Sequence, residues 1–412
     1  MSAFYDLLET RAPDARERAL LKALPRQVAH AKAKAPHYAK LFADIEPREM
    51  TSRAALARLP VTRKSNLIAL QAQALPFGGL AATTPGNAAR IFMSPGPIYE
   101  PEGRARDFWR LARALYAAGM RSGEVLHNSF SYHLTPAGAM LESAAQALGC
   151  AVIPGGVGQT ELQCRAIADL RPSAYVGTPS FLKILLAKGK ELGSDLSSLK
   201  RALVSGEAFP PPLQQEIAAS GIAAFQCYAT ADLGLIAYES EARQGLILDE
   251  SIILELVRPG TGDPVPAGEV GEVVVTVLGP DYPLIRFATG DLSALLPGPS
   301  PCGRTNLRIK GWMGRADQTT KVRGLFVHPE QLAELAKRHK EIARYRLVVS
   351  DSGGGDVMTL KIEVPVGTPP EIEGKIGATL TDLTKLRGSI EIMLPGSLPA
   401  DGKVIEDARP RG

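Results

Sequence analysis

The chain has 412 residues, of which 45% are hydrophobic, and its 47 lysines and arginines stand against 43 aspartates and glutamates. This length exceeds the size at which one hydrophobic core stops growing, so we expect at least two domains. The positive charges are spread along the sequence without a basic run, which argues against a nucleic-acid-binding protein. No basic, apolar leader and no long uncharged apolar stretch is present, so we expect neither a secretion signal nor a membrane span.

The four cysteines are far apart and form no C-x-x-C pair. This spacing argues against a disulfide framework and against a zinc knuckle. A reducing, cytoplasmic location is therefore expected.

The N-terminal part of the sequence predicts a helical layer. Residues 14 to 43 carry apolar residues such as Leu24 and Val28 at helical spacing. Pro25 and Pro36 are expected to break this layer into separate helices, because proline lacks the amide hydrogen that a helix interior needs.

From about residue 89 the pattern alternates between strand, loop and helix. The segments are, in order, EVLHNSF, AGAMLESAAQALG, CAVIPGG, TELQCRAIADLRP, AYVGTPS and FLKILLAKGKEL. Alternation of this kind predicts a parallel sheet covered by helices.

From residue 246 onward the sequence shows a different pattern of apolar and turn residues. Residues 246 to 296 contain β-type runs separated by turn residues, which predicts antiparallel strands. After GWMGRADQTTKVRG a small α+β pattern follows, with a hairpin turn predicted at residues 352 to 355. The fold class is therefore α/β: a large N-terminal domain with helix-covered, mainly parallel sheets and a β-rich subdomain, followed by a small α+β domain.

A possible phosphate loop follows the apolar residues Ile91 to Met93. It reads Ser94-Pro95-Gly96-Pro97, and a helix is predicted over residues 104 to 120. A strand, a tight loop and a helix form a common anion site, because backbone amides and the helix N-terminus point at the ligand. Two prolines contribute no amide hydrogen. Whether the loop binds phosphate or is only a turn stays open at this point.

Two other motifs carry less information. GGVGQTE has a glutamate in place of the third glycine of a dinucleotide fingerprint, so a nicotinamide or flavin site is not expected. The six histidines show no metal-ligand spacing. His133 lies in a predicted loop where a substrate is able to pass, and a structural histidine is the alternative interpretation.

The strongest signal is the order of four segments. They are VSGEAFPPPLQQEI, FQCYATADLG, YPLIRFATGDLSAL and GWMGRADQTTKVRGLFVHPEQL. Any one of them alone is consistent with a turn, a cap or a core tyrosine. Together they resemble the adenylate-forming superfamily and, within it, the phenylacetate-CoA ligase family, whose members read GAEP, YGLSE, RYRTRDL and GRSDDMLIIRG. The stretches APHYAKLF, LPVTRKSNL and LPADGKVIEDAR extend the resemblance over the whole chain.

The resemblance implies an ATP-dependent acid-CoA ligase that forms an acyl-AMP and transfers the acyl group to the CoA thiol. The implied cofactors are ATP, AMP, Mg²⁺ and coenzyme A. Asp232 matches the metal-binding glutamate of the family, and Lys403 matches its C-terminal catalytic lysine. The implied nucleotide-binding residues are Ser94, Gly96, Gly206, Glu207, Tyr228, Thr230, Asp291 and Arg315.

The resemblance also implies two domains, residues 1–317 and 318–412. Asp317 matches the family's hinge, about which the small domain swings between the two half-reactions. The implied CoA-binding residues are Lys321, Arg323 and Gly324, and the implied acid pocket contains Tyr132 and His133.

The sequence departs from the family in the phosphate loop. Relatives read SSGTTGKP where this chain reads MSPGPIYEP, so the hydroxyls and the lysine that hold the β- and γ-phosphates are missing. Arg104 and Arg106 are candidates for the missing charge, and solvated arginines are the alternative. Two other functions therefore stay open: a pseudoenzyme that binds adenylate or CoA without efficient turnover, and an adenylating enzyme with an amine or carrier-protein acceptor. Zinc is not expected, and the oligomeric state stays open, a homodimer included.

Overall fold

The computed structural model describes residues 3–316, 320–323, 325–351, 356–365, 367–369 and 371–409. Contacts within the chain group it into two compact units. Unit 1 comprises Met1–Leu254, Val275–Phe287 and Leu296–Trp312, and unit 2 comprises Glu255–Val274, Ala288–Leu295 and Met313–Gly412. The boundary expected at residue 317 stays a prediction.

The α-helices are, in chain order, α1 (Pro13–Lys34), α2 (Pro36–Leu41), α3 (Arg53–Ala57), α4 (Leu67–Gln73), α5 (Ala112–Ala117), α6 (Ala137–Leu148), α7 (Thr160–Leu170), α8 (Pro179–Leu192), α9 (Pro211–Ala219), α10 (Pro329–Arg338) and α11 (Ile372–Thr384). Within the described residues, none of these helices is long and apolar enough to cross a membrane.

The strands are, in chain order, β1 (Thr62–Arg63), β2 (Arg90–Ser94), β3 (Ile98–Glu102), β4 (Val125–Asn128), β5 (Ala151–Pro154), β6 (Ala174–Gly177), β7 (Arg201–Val204), β8 (Ala223–Thr230), β9 (Gly234–Glu239), β10 (Leu246–Leu248), β11 (Ile252–Val257), β12 (Val270–Val277), β13 (Phe287–Leu296), β14 (Arg308–Ile309), β15 (Thr320–Val322), β16 (Leu325–Val327), β17 (Arg344–Asp351), β18 (Asp356–Glu363), β19 (Ser389–Met393) and β20 (Ile405–Asp407).

The sheet of unit 1 confirms the predicted α/β architecture. Part of its strand order is β14-β10-β9-β8-β7-β6-β4-β5. Strands β4 to β8 pair in parallel, and β9, β10 and β14 continue the sheet antiparallel. The carboxyl ends of β4 to β8 therefore share one edge, which is where open α/β sheets bind ligands.

Local sequence signals account for the helix boundaries in this region. Helix α8 begins where the Thr178 hydroxyl accepts a hydrogen bond from the Phe181 amide (3.3 Å), with Pro179 in the first turn. It ends at Gly193, whose φ of 66° is a conformation that favours glycine. Helix α6 ends in the same way at Gly149, with a φ of 89°.

Two predictions about helix boundaries are wrong. Helix α1 continues through Pro25, because it buries Leu24 and Val28 completely. Each such side chain contributes about 1.5–3 kcal/mol, which offsets the roughly 3 kcal/mol cost of an interior proline. Pro36 does separate α1 from α2.

The second wrong prediction is the helix over residues 104 to 120. A second strand, β3, follows the loop and pairs antiparallel with β2, with Ser94 opposite Ile98. The helical residues begin at Ala112, because Asp107 and Arg110 have φ values of 52° and 65°, which a right-handed helix excludes. The segment is thus a β-hairpin rather than a strand, loop and helix.

Unit 2 contains a four-stranded sheet of order β19-β18-β17-β20 and a separate β15-β16 hairpin. Helices α10 and α11 supply Leu332, Leu335, Ile376 and Leu380 to its hydrophobic core. This α+β arrangement is the one predicted from the sequence. The turn expected at residues 352 to 355 lies outside the described residues.

Candidate active site

Most of the site residues that were predicted and that belong to unit 1 lie at or near the carboxyl edge of the parallel sheet. Gly206 and Glu207 follow β7, while Tyr228 and Thr230 end β8. The Glu207 carboxylate accepts a hydrogen bond from the Ser180 amide at 2.7 Å, so the loop after β7 is tied to the start of α8. Gly206 has a φ of 85°, which explains the glycine at this position.

The turn after β8 places Asp232 in the interior. The Thr230 hydroxyl accepts a hydrogen bond from the Leu233 amide at 3.1 Å and thereby closes the turn. A Cβ atom on Gly234 would lie 2.7 Å from the Trp109 carbonyl oxygen, so only glycine fits there. This packing leaves Asp232 only 5% exposed.

Asp232 is paired with a cation that the sequence reading did not single out. The Lys64 ammonium lies 2.5 Å from Asp232 Oδ2, whereas Asp232 Oδ1 is buried without a hydrogen-bond partner among the described residues. The two residues are 168 positions apart in the sequence. The only sequence signal for Lys64 is its place in LPVTRKSNL, one of the stretches that resemble the family.

A second buried carboxyl links Asp232 to the phosphate-loop hairpin. Glu100 lies on β3, and its Oε1 accepts a hydrogen bond from the Ser94 hydroxyl. Burial, reinforced by repulsion from Asp232, raises the pKa of the Glu100 carboxyl to about 7. Burial also raises the pKa of the nearby Tyr282 hydroxyl well above its ordinary value. The hairpin, Asp232 and Lys64 therefore form one electrostatically coupled cluster in unit 1.

The arginines considered for the phosphate loop are engaged elsewhere. Arg104 donates to the carbonyl oxygens of Asn87 and Ala88, and Arg106 donates to that of Ala147. Arg104 thus contacts the segment before β2, and Arg106 contacts the last turn of α6.

Tyr132 and His133, the residues predicted for the acid pocket, lie in the loop after β4. The Asn128 amide donates to the Tyr132 hydroxyl and to the Gly138 carbonyl, both at 2.8 Å. Burial raises the pKa of Tyr132. His133 is exposed, and its backbone amide donates to Ser131 Oγ. The structure thus fixes Tyr132 firmly and leaves His133 at the surface.

A buried histidine and glutamine in the same region were missed by the sequence reading. His127 Nε2 lies 2.7 Å from Gln163 Oε1, and burial lowers the pKa of His127. Gln163 Nε2 donates to the carbonyl oxygens of Gly156 and Gly158, at 2.9 and 2.6 Å. This pair holds the GGVG loop in place. The position of His127 at the end of the strand EVLHNSF was the available signal.

In unit 2, Asp291 and Arg315 lie side by side. Arg315 Nη1 donates to Asp291 Oδ1 at 3.0 Å, and the Asp291 amide donates to Thr289 Oγ1 at 3.1 Å. The Asp291 side chain is 11% exposed and that of Arg315 is 48% exposed. The carboxylate is therefore held in a fixed orientation.

Lys403 is exposed, and its backbone amide donates to Asp401 Oδ1 at 3.1 Å. It lines a cavity of about 60 Å³ within unit 2, together with Arg258, Tyr345 and Arg346. Glu269 also lines this cavity, and Arg346 is paired with Asp401 and Glu406, so the charges around it are mixed.

Only part of the predicted hinge and CoA segment is described. Arg323 has a φ of 47°, and its backbone amide donates to Asp356 Oδ2 at 2.8 Å. Lys321 lies in β15, opposite Phe326 of β16. Asp317 and Gly324 lie outside the described residues.

Comparison with known proteins places these features in a family. The AMP-binding enzyme family matches residues 130–280. The phenylacetate-coenzyme A ligase of Thermus thermophilus is 33% identical over 83% of this chain and 80% of its own length. The enzyme of the same name from Pseudomonas putida is 30% identical over 93% and 90%. The chain belongs to the phenylacetate-coenzyme A ligase family. It is accordingly an acid–thiol ligase of the adenylate-forming superfamily, and a binding-only pseudoenzyme is not favoured.

A solved structure supports the fold of this phenylacetate-coenzyme A ligase family member. A 2-hydroxyisobutyryl-CoA ligase crystallised with its acyl-AMP and CoA superimposes with a TM-score of 0.73, at 22% identity over 99% of this chain and 93% of that chain. The α/β fold class predicted from the sequence is thereby confirmed.

Proposed function

We propose that this ligase uses ATP to activate an aryl carboxylic acid and transfers the acyl group to coenzyme A. The observation that carries the proposal is the assembly of Gly206, Glu207, Tyr228 and Asp232 at the carboxyl edge of the parallel sheet, in a chain 30–33% identical to phenylacetate-coenzyme A ligases. The relatives' substrate makes phenylacetate the first acid to test.

In the first half-reaction, a carboxylate oxygen of the acid attacks the α-phosphorus of ATP. The bond between that phosphorus and the bridging oxygen breaks, and pyrophosphate leaves. Tyr228 stacks on adenine beside Gly206 and Glu207, Asp291 accepts the ribose hydroxyls, and Arg315 lies near the ribose and phosphate. Lys403 contributes a positive charge near the α-phosphate, where negative charge develops.

In the second half-reaction, the CoA sulfur attacks the acyl carbonyl and AMP leaves as the mixed anhydride breaks. The thiol proton passes to solvent. We assign the backbone of residues 321 to 324 to the pantetheine arm and Asp317 to the hinge. Residues 318–412 would then swing as the small domain.

Magnesium would accompany the nucleotide, and Asp232 is our proposed ligand. Asp232 Oδ1 is a buried oxygen without a hydrogen-bond partner among the described residues, which suits a cation that prefers oxygen ligands. When bound there, the ion would offset phosphate charge. Asp232 Oδ2 is already held by Lys64.

We further propose a cytoplasmic location, supported by four free thiols, Cys150, Cys164, Cys227 and Cys302. A homodimer is the assembly to test first, by light scattering of the purified protein.

The test of the proposed function is an acid panel. The purified protein is mixed with ATP, Mg²⁺ and CoA and with phenylacetate, benzoate or an aliphatic acid, and AMP is measured beside the thioester mass. AMP and thioester in equal amounts support the proposal. AMP with an amide product instead of a thioester would point to the amine-acceptor alternative.

A further inference from the structure

Lys64 contacts the carboxylate cluster of unit 1, although it lies outside the sequence motifs assigned to the nucleotide site. It lies directly after β1, and its ammonium is 2.5 Å from Asp232 Oδ2. The Asp232 side chain is fully buried, whereas that of Lys64 is 29% exposed. Part of the Lys64 side chain is thus accessible to solvent, while its ammonium pairs with a buried anion.

Lys64 has hydrogen-bonding capacity to spare. An ammonium group carries three N–H donors. Within the described residues, Asp232 is the one hydrogen-bond acceptor of Lys64 Nζ. A ligand oxygen can therefore bind the same ammonium without displacing Asp232.

The cluster also connects Lys64 to the phosphate-loop hairpin. Glu100 is 1% exposed, holds the Ser94 hydroxyl and interacts electrostatically with both Asp232 and Lys64. Since Ser94 begins the loop Ser94–Pro97, the ammonium belongs to the same electrostatic environment as the loop. No lysine or arginine stands within that loop.

We propose that Lys64 is a phosphate-binding residue, whose ammonium bridges Asp232 and an oxygen of the β- or γ-phosphate of ATP. It would supply part of the charge that the loop lacks. This inference rests on the proposed function, because it needs ATP as the ligand. AMP has no β- or γ-phosphate, so AMP binding should not depend on Lys64.

The test compares ATP and AMP binding by calorimetry in the parent protein and in Lys64→Met. A lost charge-assisted contact should weaken ATP binding about 10- to 100-fold and leave AMP affinity within about twofold. Lys188→Met is the matched control, because Lys188 is 27% exposed and pairs with Glu191 at 2.9 Å. Unchanged ATP affinity in Lys64→Met would overturn the inference.

A second comparison separates phosphate binding from support of Asp232. Asp232→Asn removes the buried charge, so the double variant Lys64→Met/Asp232→Asn leaves no uncompensated carboxylate there. If Lys64 binds phosphate, the double variant binds ATP at least about tenfold more weakly than Asp232→Asn alone. Equal ATP affinities would show that Lys64 only neutralises Asp232.

Failure of the proposed function gives a different result. A parent protein that binds neither ATP nor AMP and releases no AMP with any acid contradicts the ligase proposal itself. If the parent and Lys64→Met bind ATP with equal affinity, only the role of Lys64 is contradicted.

Discussion

Asp291→Asn tests the nucleotide site with a nearly isosteric change. The carboxylate is held by Arg315 at 3.0 Å and is 11% exposed. If it accepts both ribose hydroxyls, the variant replaces two charge-assisted hydrogen bonds by neutral ones. Each replacement should cost about 1 kcal/mol, so AMP affinity should fall about 30-fold.

The same change should cost little stability. The Arg315 side chain is 48% exposed, and an ion pair so close to solvent contributes about 0–1 kcal/mol. The melting temperature should therefore shift by only a few degrees while the affinity falls.

The assay is a calorimetric AMP titration, with melting temperatures measured on the same samples. Asp195→Asn is the matched control, since Asp195 pairs with Arg171 at 2.8 Å on the surface of unit 1. Parent-like AMP affinity in Asp291→Asn would refute the ribose assignment. A large loss of melting temperature would attribute the weaker binding to misfolding instead.

Three further predictions concern catalysis and stability. Lys403→Ala should slow acyl-AMP formation sharply and leave the melting temperature unchanged, because the exposed lysine loses little packing. Lys385→Ala is the control, since Lys385 is also exposed. An unchanged rate of adenylation would exclude Lys403 from the mechanism. The ATP-dependent half-reaction should be slow, whereas supplied acyl-AMP and CoA should give acyl-CoA at a normal rate. Replacement of Ser94–Pro97 by Thr-Thr-Gly-Lys should accelerate only the ATP-dependent half-reaction. Acceleration of both half-reactions would contradict this prediction. Burial raises the pKa of Asp107 from 3.8 to about 7, so the folded protein holds this proton more tightly than the unfolded chain does. The free energy of unfolding therefore falls as the pH rises from about 4 to 7. Asp107→Asn should therefore gain stability relative to the parent between pH 5 and pH 8, by up to about 4 kcal/mol in chemical denaturation, and a pH-independent difference would count against the shift.

Local signals in the sequence were sufficient for much of the fold. Thr178, Pro179 and Gly193 mark both ends of α8, and the strand and helix segments of the parallel sheet were predicted in order. Local rules failed where burial or pairing outweighed them, as in α1 at Pro25 and in the hairpin that replaces the expected helix.

The candidate site was predictable only where a motif marks it. Tyr228, Asp232 and Asp291 lie in recognisable segments, whereas the Lys64 contact joins residues 168 positions apart and has no local signal. The pair of His127 and Gln163 likewise depends on tertiary packing, because its two residues come from a strand and a helix. The roles assigned to Asp317 and Gly324 stay predictions.

The most direct measurement of the central claim is the product ratio with ATP, CoA and phenylacetate or another acid of the panel. We expect one AMP, one pyrophosphate and one acyl-CoA per acid consumed, with no AMP when the acid is omitted. Formation of ADP and phosphate, or the absence of both AMP and thioester with every acid of the panel, would contradict it.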